Sequence, residues 1–219
     1  MQTPEDMDLF PPELDGNFSY LMLFADSNRI DLTLCPIEKK EKWSNGDKLS
    51  IVLLDKDQVL PNLPAPTDQD YWVKRPSAAF YADCCNEFWW VLTYVAKGLW
   101  RQEITYAMDH LNMNVRPMLI KMLEWRVGID TNFSLSTGKN GKYLEKHLPK
   151  QNWLALMSTY PDGTYEGVWG ALFVTLDLFR STAKEVAERL SYEYPLDDDR
   201  NVTAYLKRVQ QLEPGASST

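Results

Sequence analysis

Hydrophobic and polar positions alternate in the N-terminal part of the chain in a way that predicts β-strands. An apolar run covers residues 18–24, a polar turn follows at residues 25–28, and residues 29–34 return with apolar side chains at every second position. This spacing predicts a β-hairpin. A further short apolar run at residues 50–54 predicts another strand.

Beyond a proline-rich segment at residues 60–67, the apolar positions step by three and four residues, which predicts helices. Ser77 is predicted to cap a helix that ends near Leu99. A second helix is predicted over about residues 102–126, and Pro117 is expected to kink it. Further helices are predicted at about residues 143–147, 153–158, 165–193 and 202–212.

This change of pattern predicts an α+β protein with two domains, residues 1–66 and residues 67–219. No apolar run approaches the roughly 20 residues that span a bilayer, and the acidic N-terminus does not have the composition of a secretory signal. The three cysteines are an odd number and a poor disulfide framework. Reduced thiols and a cytoplasmic protein without a membrane partner are therefore expected.

The charge balance narrows the class of partner. The formal net charge is −8, from 31 acidic and 23 basic residues, which argues against nucleic acid because that partner requires clustered Lys and Arg. An acidic surface can attract a cationic small molecule, and it can equally serve solubility alone. The oligomeric state is not indicated by the sequence.

Asp31 lies in the middle of the second predicted strand, on the face opposite Ile30 and Leu32. Aspartate is depleted in strands because its side chain competes for local backbone hydrogen bonds. From the residues alone, a solvated position on the strand is the favoured interpretation.

Several long segments, in order along most of the chain, resemble the aminoglycoside 6-adenylyltransferases, the streptomycin-modifying resistance enzymes. Their length makes the resemblance more specific than any short motif. The segments are PEDMDLFPPEL (4–14), RIDLTLCPI (29–37), LLDKD (53–57), YWVKRPSA (71–78), DCCNEFWWVLTYVAKGL (83–99), DHLNMNVRPML (109–119), GKNGKYLEKHL (138–148) and LMSTY (156–160).

The resemblance implies the C-terminal part of a nucleotidyltransferase-fold domain with a mixed sheet over residues 1–66, followed by a mainly α-helical substrate-binding domain over residues 67–219. It implies transfer of AMP from ATP to a streptomycin hydroxyl with Mg²⁺. Asp31 is then expected to be a catalytic metal ligand, the third of three carboxylates that hold two metal ions. This role outweighs the solvated interpretation.

In the family, a Gly-Ser loop and the other two metal-binding aspartates precede the PEDM segment, and we expect this chain to lack them. The DxD strings at residues 6–8, 55–57 and 197–199 do not follow a Gly-Ser turn. We interpret them as a helix start, a strand-end turn and a solvated charge run. Little or no adenylyl transfer is therefore expected from this chain alone. The alternative is a non-catalytic remnant that binds an aminoglycoside or a partner protein.

The helical part offers further candidate residues. Asp83 and Glu87 are four residues apart and share a helix face with Trp90. Glu87 is a candidate general base, and all three are candidates for binding streptomycin, whose guanidinium groups suit carboxylates. An ordinary pair of helix-surface charges is equally compatible with the spacing.

Lys139 and Lys142 lie in a glycine-punctuated loop before a predicted helix. They are candidates for binding the phosphates of ATP, together with the backbone amides of that helix. Solvated loop lysines are the alternative. Lys74 and Arg75, directly before Pro76, are weaker candidates of the same kind.

Overall fold

The structure, a computed structural model, describes residues 16–41, 46–60 and 62–215. The PEDMDLFPPEL segment, with the DxD string at residues 6–8, lies outside them. The boundary between two compact units falls between Asp70 and Tyr71. The roles predicted for residues 1–66 and 67–219 stay predictions.

The first unit contains the predicted hairpin. Strand β1 (Phe18–Leu23) pairs antiparallel with β2 (Arg29–Leu34), and Leu21 lies opposite Asp31. The turn forms because the Asp26 carboxylate accepts hydrogen bonds from the backbone and side-chain amides of Asn28. The α+β class is confirmed, because this sheet precedes a helical region.

The predicted strand at residues 50–54 is wrong, because these residues form irregular structure. A strand needs a neighbour for its backbone groups, and β1 and β2 pair with each other. Instead, the Ser50 N–H donates to the carbonyl of Asp47 at 2.9 Å. Every residue of β2 is also exposed, with Ile30, Leu32 and Leu34 at 44% to 52%, so the described residues leave about half of the apolar face predicted for that strand uncovered. The mixed sheet stays a prediction.

The second unit is helical, and its first helix confirms the predicted cap. The Ser77 hydroxyl accepts a hydrogen bond from the Phe80 N–H at 3.1 Å, which satisfies a backbone donor that the helix leaves free. The helices are α1 (Ala78–Trp100), α2 (Ile104–His110), α3 (Arg116–Asp130), α4 (Leu144–His147), α5 (Lys150–Met157), α6 (Tyr165–Leu190) and α7 (Leu196–Gln210).

The second predicted helix contains a π-helical turn, and the kink expected at Pro117 stays a prediction. The π-helical turn, Leu111–Val115, joins α2 to α3, and Pro117 is the second residue of α3. Proline has no N–H to donate to the residue four positions earlier, and a wider turn is a known local solution at such a position.

The last helix begins earlier than predicted, and the acidic run at residues 197–199 lies in its first turn. Carboxylates are favoured there because the helix N-terminus carries partial positive charge. The solvated interpretation of this run is wrong for Asp199, which is 6% exposed and bonded to Arg180.

The core of the second unit lies around α1 and α6. Phe88 of α1 stacks on Phe179 of α6 with ring centroids 3.5 Å apart, and Trp89 meets Phe179 edge to face. Helix α1 also packs against α2 and α7, and α3 packs against α6. This core fixes which face of α1 stays accessible.

Candidate functional site

The outer face of α1 carries the predicted substrate-binding residues. Asp83, Glu87, Trp90 and Tyr94 follow one another at intervals of four, three and four residues, so they lie along one side of the helix. The opposite side is buried, including Cys84, Cys85, Phe88 and Trp89. We call the four accessible residues, Asp83, Glu87, Trp90 and Tyr94, the α1 face.

The two carboxylates of the α1 face are available to a ligand. Asp83 is exposed and Glu87 half-buried. Neither forms a hydrogen bond or ion pair with another residue in the described ranges. Carboxylates in this state can each accept hydrogen bonds from a guanidinium or ammonium group, or take a proton from a hydroxyl.

Trp90 is 58% exposed, and its Nε1 donates to the Tyr94 hydroxyl at 2.8 Å. The ring of Tyr94 meets His110 at 5.6 Å, and His110 meets Tyr106 at 4.2 Å. These contacts extend the aromatic surface from α1 onto α2. Tyr106 was not among the predicted site residues, and it lies one helical turn before His110 on α2.

The glycine-punctuated loop is built around unusual backbone angles. Gly138 and Gly141 have φ values of 74° and 71°, which glycine adopts without steric cost. A Cβ at Gly138 would lie 2.7 Å from side-chain atoms of both Lys142 and Tyr143. The helix that follows has four residues, so its backbone amides offer little of the anion binding that was predicted for it.

Lys139 and Lys142 point to different surroundings. Lys139 lines a cavity of about 430 Å³ in the second unit, which we call the lysine cavity. Lys142 does not line it, and its ammonium group lies 4.9 Å from the centroid of the Tyr143 ring. The residues lining the lysine cavity are Tyr71, Trp72, Val73, Lys74, Phe80, Lys121, Glu124, Trp125, Ser136, Thr137, Gly138 and Lys139.

In the first unit, the Asp31 carboxylate accepts two hydrogen bonds from the Arg29 guanidinium, of 3.0 and 2.9 Å. The side chain of Asp31 is 52% exposed. It borders an open, mainly apolar cavity of about 810 Å³ with Leu32 and Ile51. Within the described ranges, no three His, Cys, Asp or Glu residues cluster as a metal site. The metal-binding role of Asp31 stays a prediction.

Arg116 is a buried cation that the sequence analysis did not single out. Its guanidinium donates to the Thr159 hydroxyl and carbonyl at 2.6 and 2.9 Å and lies 3.8 Å from the Tyr160 ring centroid. Burial lowers the pKa of this guanidinium. These contacts join the start of α3 to the end of α5, which brings together two of the segments that carry the resemblance.

None of the described helices combines the length and the apolar character needed to cross a membrane.

Comparisons with known proteins give a consistent result. A family model described as streptomycin adenylyltransferase matches residues 1–209. The aminoglycoside 6-adenylyltransferase of Bacillus subtilis (strain 168) is 49% identical over 95% of this chain and 74% of its own length. The proteins of that name from Campylobacter jejuni and Staphylococcus aureus are 46% and 37% identical, with 73% of each covered. A crystal structure of an aminoglycoside 6-adenyltransferase from Bacillus subtilis superposes with a TM-score of 0.62 at 46% identity, over 96% of this chain and 78% of that one.

Proposed function

Because this chain belongs to the streptomycin adenylyltransferase family, we propose that it transfers AMP from ATP to a hydroxyl of streptomycin. The family is one of antibiotic-resistance transferases that adenylylate aminoglycosides. The observation that carries the proposal is the α1 face, where two unpaired carboxylates lie beside accessible aromatic rings. An ATP-dependent reaction also agrees with the predicted cytoplasmic location.

In this reaction the substrate hydroxyl oxygen forms a bond to the α-phosphorus of ATP. The bond from that phosphorus to the bridging oxygen breaks, and pyrophosphate leaves. Glu87 is the proposed general base that takes the hydroxyl proton. Its half-buried position on α1 suits this role, because a base must be held within hydrogen-bond reach of the proton.

Asp83 and Trp90 are the proposed binding residues for the cationic antibiotic. Asp83 is exposed and can pair with a guanidinium group. Trp90 presents an exposed ring whose direction is fixed by its hydrogen bond to Tyr94. A fixed ring can stack on a sugar or a planar cation with little loss of conformational freedom.

The family implies ATP as co-substrate, and we propose that Lys139, which lines the lysine cavity, contributes to binding its phosphates. Magnesium is proposed as a cofactor of the reaction, with Asp31 as one ligand. The described residues alone do not fit a magnesium site, because a single exposed carboxylate already paired with Arg29 supplies too few oxygens. No step is therefore assigned to the metal.

The test is adenylyl transfer by the purified protein with ATP, Mg²⁺ and streptomycin, followed by pyrophosphate release. Glu87→Gln is expected to lower kcat by about 100-fold or more, the usual contribution of a general base. Asp83→Asn is expected to raise KM for streptomycin with a smaller effect on kcat. Glu145→Gln, at an exposed position of α4, is the control. An unchanged kcat for Glu87→Gln would remove the base assignment.

A second candidate function is binding without catalysis. It is favoured by the observation that the carboxylates in the described part of the chain do not group into a metal site. In this case streptomycin would bind to the α1 face, and Asp83→Asn would weaken that binding, while no pyrophosphate would be released. The same two assays therefore separate the candidates.

A further inference from the structure

We propose that the lysine cavity binds the triphosphate of ATP, and that Lys74 and Lys121 act there together with Lys139. This inference rests on the proposed function for the identity of the nucleotide. It adds Lys121 to the candidate phosphate ligands, places Lys74 in the same cavity as Lys139, and leaves Lys142 outside that cavity.

The charge of the lysine cavity indicates an anionic ligand. Lys74, Lys121 and Lys139 line it against one carboxylate, Glu124. That carboxylate accepts a hydrogen bond from the Thr137 hydroxyl at 2.8 Å. In the ranges 16–41, 46–60 and 62–215, none of the three lysines pairs with an acidic side chain. Three unpaired cations would repel an aminoglycoside and attract a polyphosphate.

The three lysines come from separate segments, so the cavity is a product of the fold. Lys74 follows Val73, whose N–H donates to the Leu135 carbonyl at 2.9 Å. Lys121 lies on α3, and Lys139 lies on the glycine-punctuated loop. These segments converge on one space, which the spacing of the residues in the sequence does not reveal.

Lys121 is the best-positioned of the three cations. It is half-buried, and its ammonium group lies 5.2 Å from the centroid of the Phe80 ring. Phe80 in turn meets Trp125 edge to face at 5.5 Å. A cation held partly out of water interacts more strongly with a bound anion than one that is fully solvated.

The loop holds Lys139 at the cavity and directs Lys142 elsewhere. The Gly138 N–H donates to the Ser136 hydroxyl at 3.1 Å, and the Tyr143 N–H donates to the Thr137 carbonyl at 2.9 Å. Lys142 meets the ring of Tyr143 instead of the cavity. Binding to the lysine cavity should therefore depend on Lys121 more than on Lys142.

The test measures dissociation constants of the full chain for ATP, inorganic tripolyphosphate and adenosine by isothermal titration calorimetry. Lys121→Met is expected to weaken ATP and tripolyphosphate by about tenfold, which corresponds to about 1.4 kcal/mol. Lys74→Met and Lys139→Met, at exposed positions, should weaken both by about threefold. Adenosine binding should not change. Lys142→Met and the surface variant Lys150→Met are the controls, and circular dichroism verifies folding.

The proposal would be overturned if Lys121→Met and Lys74→Met bound ATP as tightly as the wild-type protein does. It would also be overturned if these variants lost affinity for tripolyphosphate but kept it for ATP, because the cavity would then bind free polyphosphate only. The failure of this inference can be distinguished from the failure of the proposed function. Lysine-dependent ATP binding without AMP transfer would overturn only the function, and AMP transfer with an unchanged KM for ATP in these variants would overturn only this inference.

Discussion

The two units of this protein use their apolar residues in different ways. In the described part of the first unit, Leu21, Leu23 and Leu53 are 70%, 76% and 88% exposed. In the second unit, Phe88, Phe179 and Leu172 are fully buried. The hairpin satisfies its local backbone hydrogen bonds without a core, whereas the helices also cover one another. A segment can therefore form regular secondary structure without contributing to a buried hydrophobic core.

The largest expected difference between the units is in the reactivity of their thiols. Burial raises the pKa of Cys84 and of Cys85 to about 12. At pH 8 only about one part in 10⁴ of such a thiol is the reactive thiolate. Cys35, in the first unit, is half-buried. With Ellman's reagent, one thiol should react at least about a thousandfold faster than the other two.

Two conditions control this thiol experiment. All three cysteines should react quickly in denaturant, and Cys35→Ser should remove the fast phase from the native protein. A fast phase of more than one thiol in the native protein would contradict the difference in packing.

Truncation of a core aromatic should have the next largest effect. Phe179→Ala removes a ring that stacks on Phe88 and meets Trp89, so it should lower the free energy of unfolding by about 3–5 kcal/mol. Leu53→Ala, in the first unit, should change it by less than about 0.5 kcal/mol. Chemical denaturation measures both. A large loss in Leu53→Ala would show that this side chain is covered in solution, and would break the comparison.

The second unit was more predictable from sequence than the first, for a physical reason. Helical hydrogen bonds are local, so the cap at Ser77 and the periodicity of α6 were sufficient to predict their helices. A strand requires a partner from elsewhere in the chain, and the apolar run at residues 50–54 has none among the described residues. The composition of residues 50–54 could not reveal that a pairing strand is missing among the described residues.

The same distinction applies to the candidate site. The α1 face could be predicted because its residues lie on one helix, and helical spacing alone brings them together. The lysine cavity could not, because Lys74, Lys121 and Lys139 come from three segments that only the fold brings together. Asp199 was misread as solvated for this reason as well, since its partner Arg180 lies on a different helix.

The two units also differ in how much one ion pair contributes to stability. Asp199 accepts three hydrogen bonds from Arg180, of 2.6 to 3.0 Å, and others from Tyr194 and Thr203. Asp199→Ala should lower the free energy of unfolding by about 3 kcal/mol, because it leaves a partly buried guanidinium without its main partner.

The matching pair in the first unit is Arg29 with Asp31, whose side chains are 65% and 52% exposed. Asp31→Ala should leave the free energy of unfolding nearly unchanged, because water screens the attraction between two exposed charges. Asp198→Ala, at an exposed neighbour of Asp199, is the control within the second unit. Equal losses in Asp199→Ala and Asp31→Ala would contradict the difference in burial.

The smallest effect is the pH dependence of stability that Asp199 contributes. Burial alone would raise the pKa of its carboxyl group, but the hydrogen bonds from Arg180 and Tyr194 outweigh burial and lower the pKa below the ordinary value. The folded state therefore binds this proton less readily than the unfolded state. The resulting stability is present above about pH 4, where the unfolded carboxyl is ionised, and is lost as the pH falls through the lower pKa of the folded state. Denaturation at pH 7 and pH 3 should show the wild type losing more stability than Asp199→Asn, and equal losses would show that other carboxylates dominate the acid response.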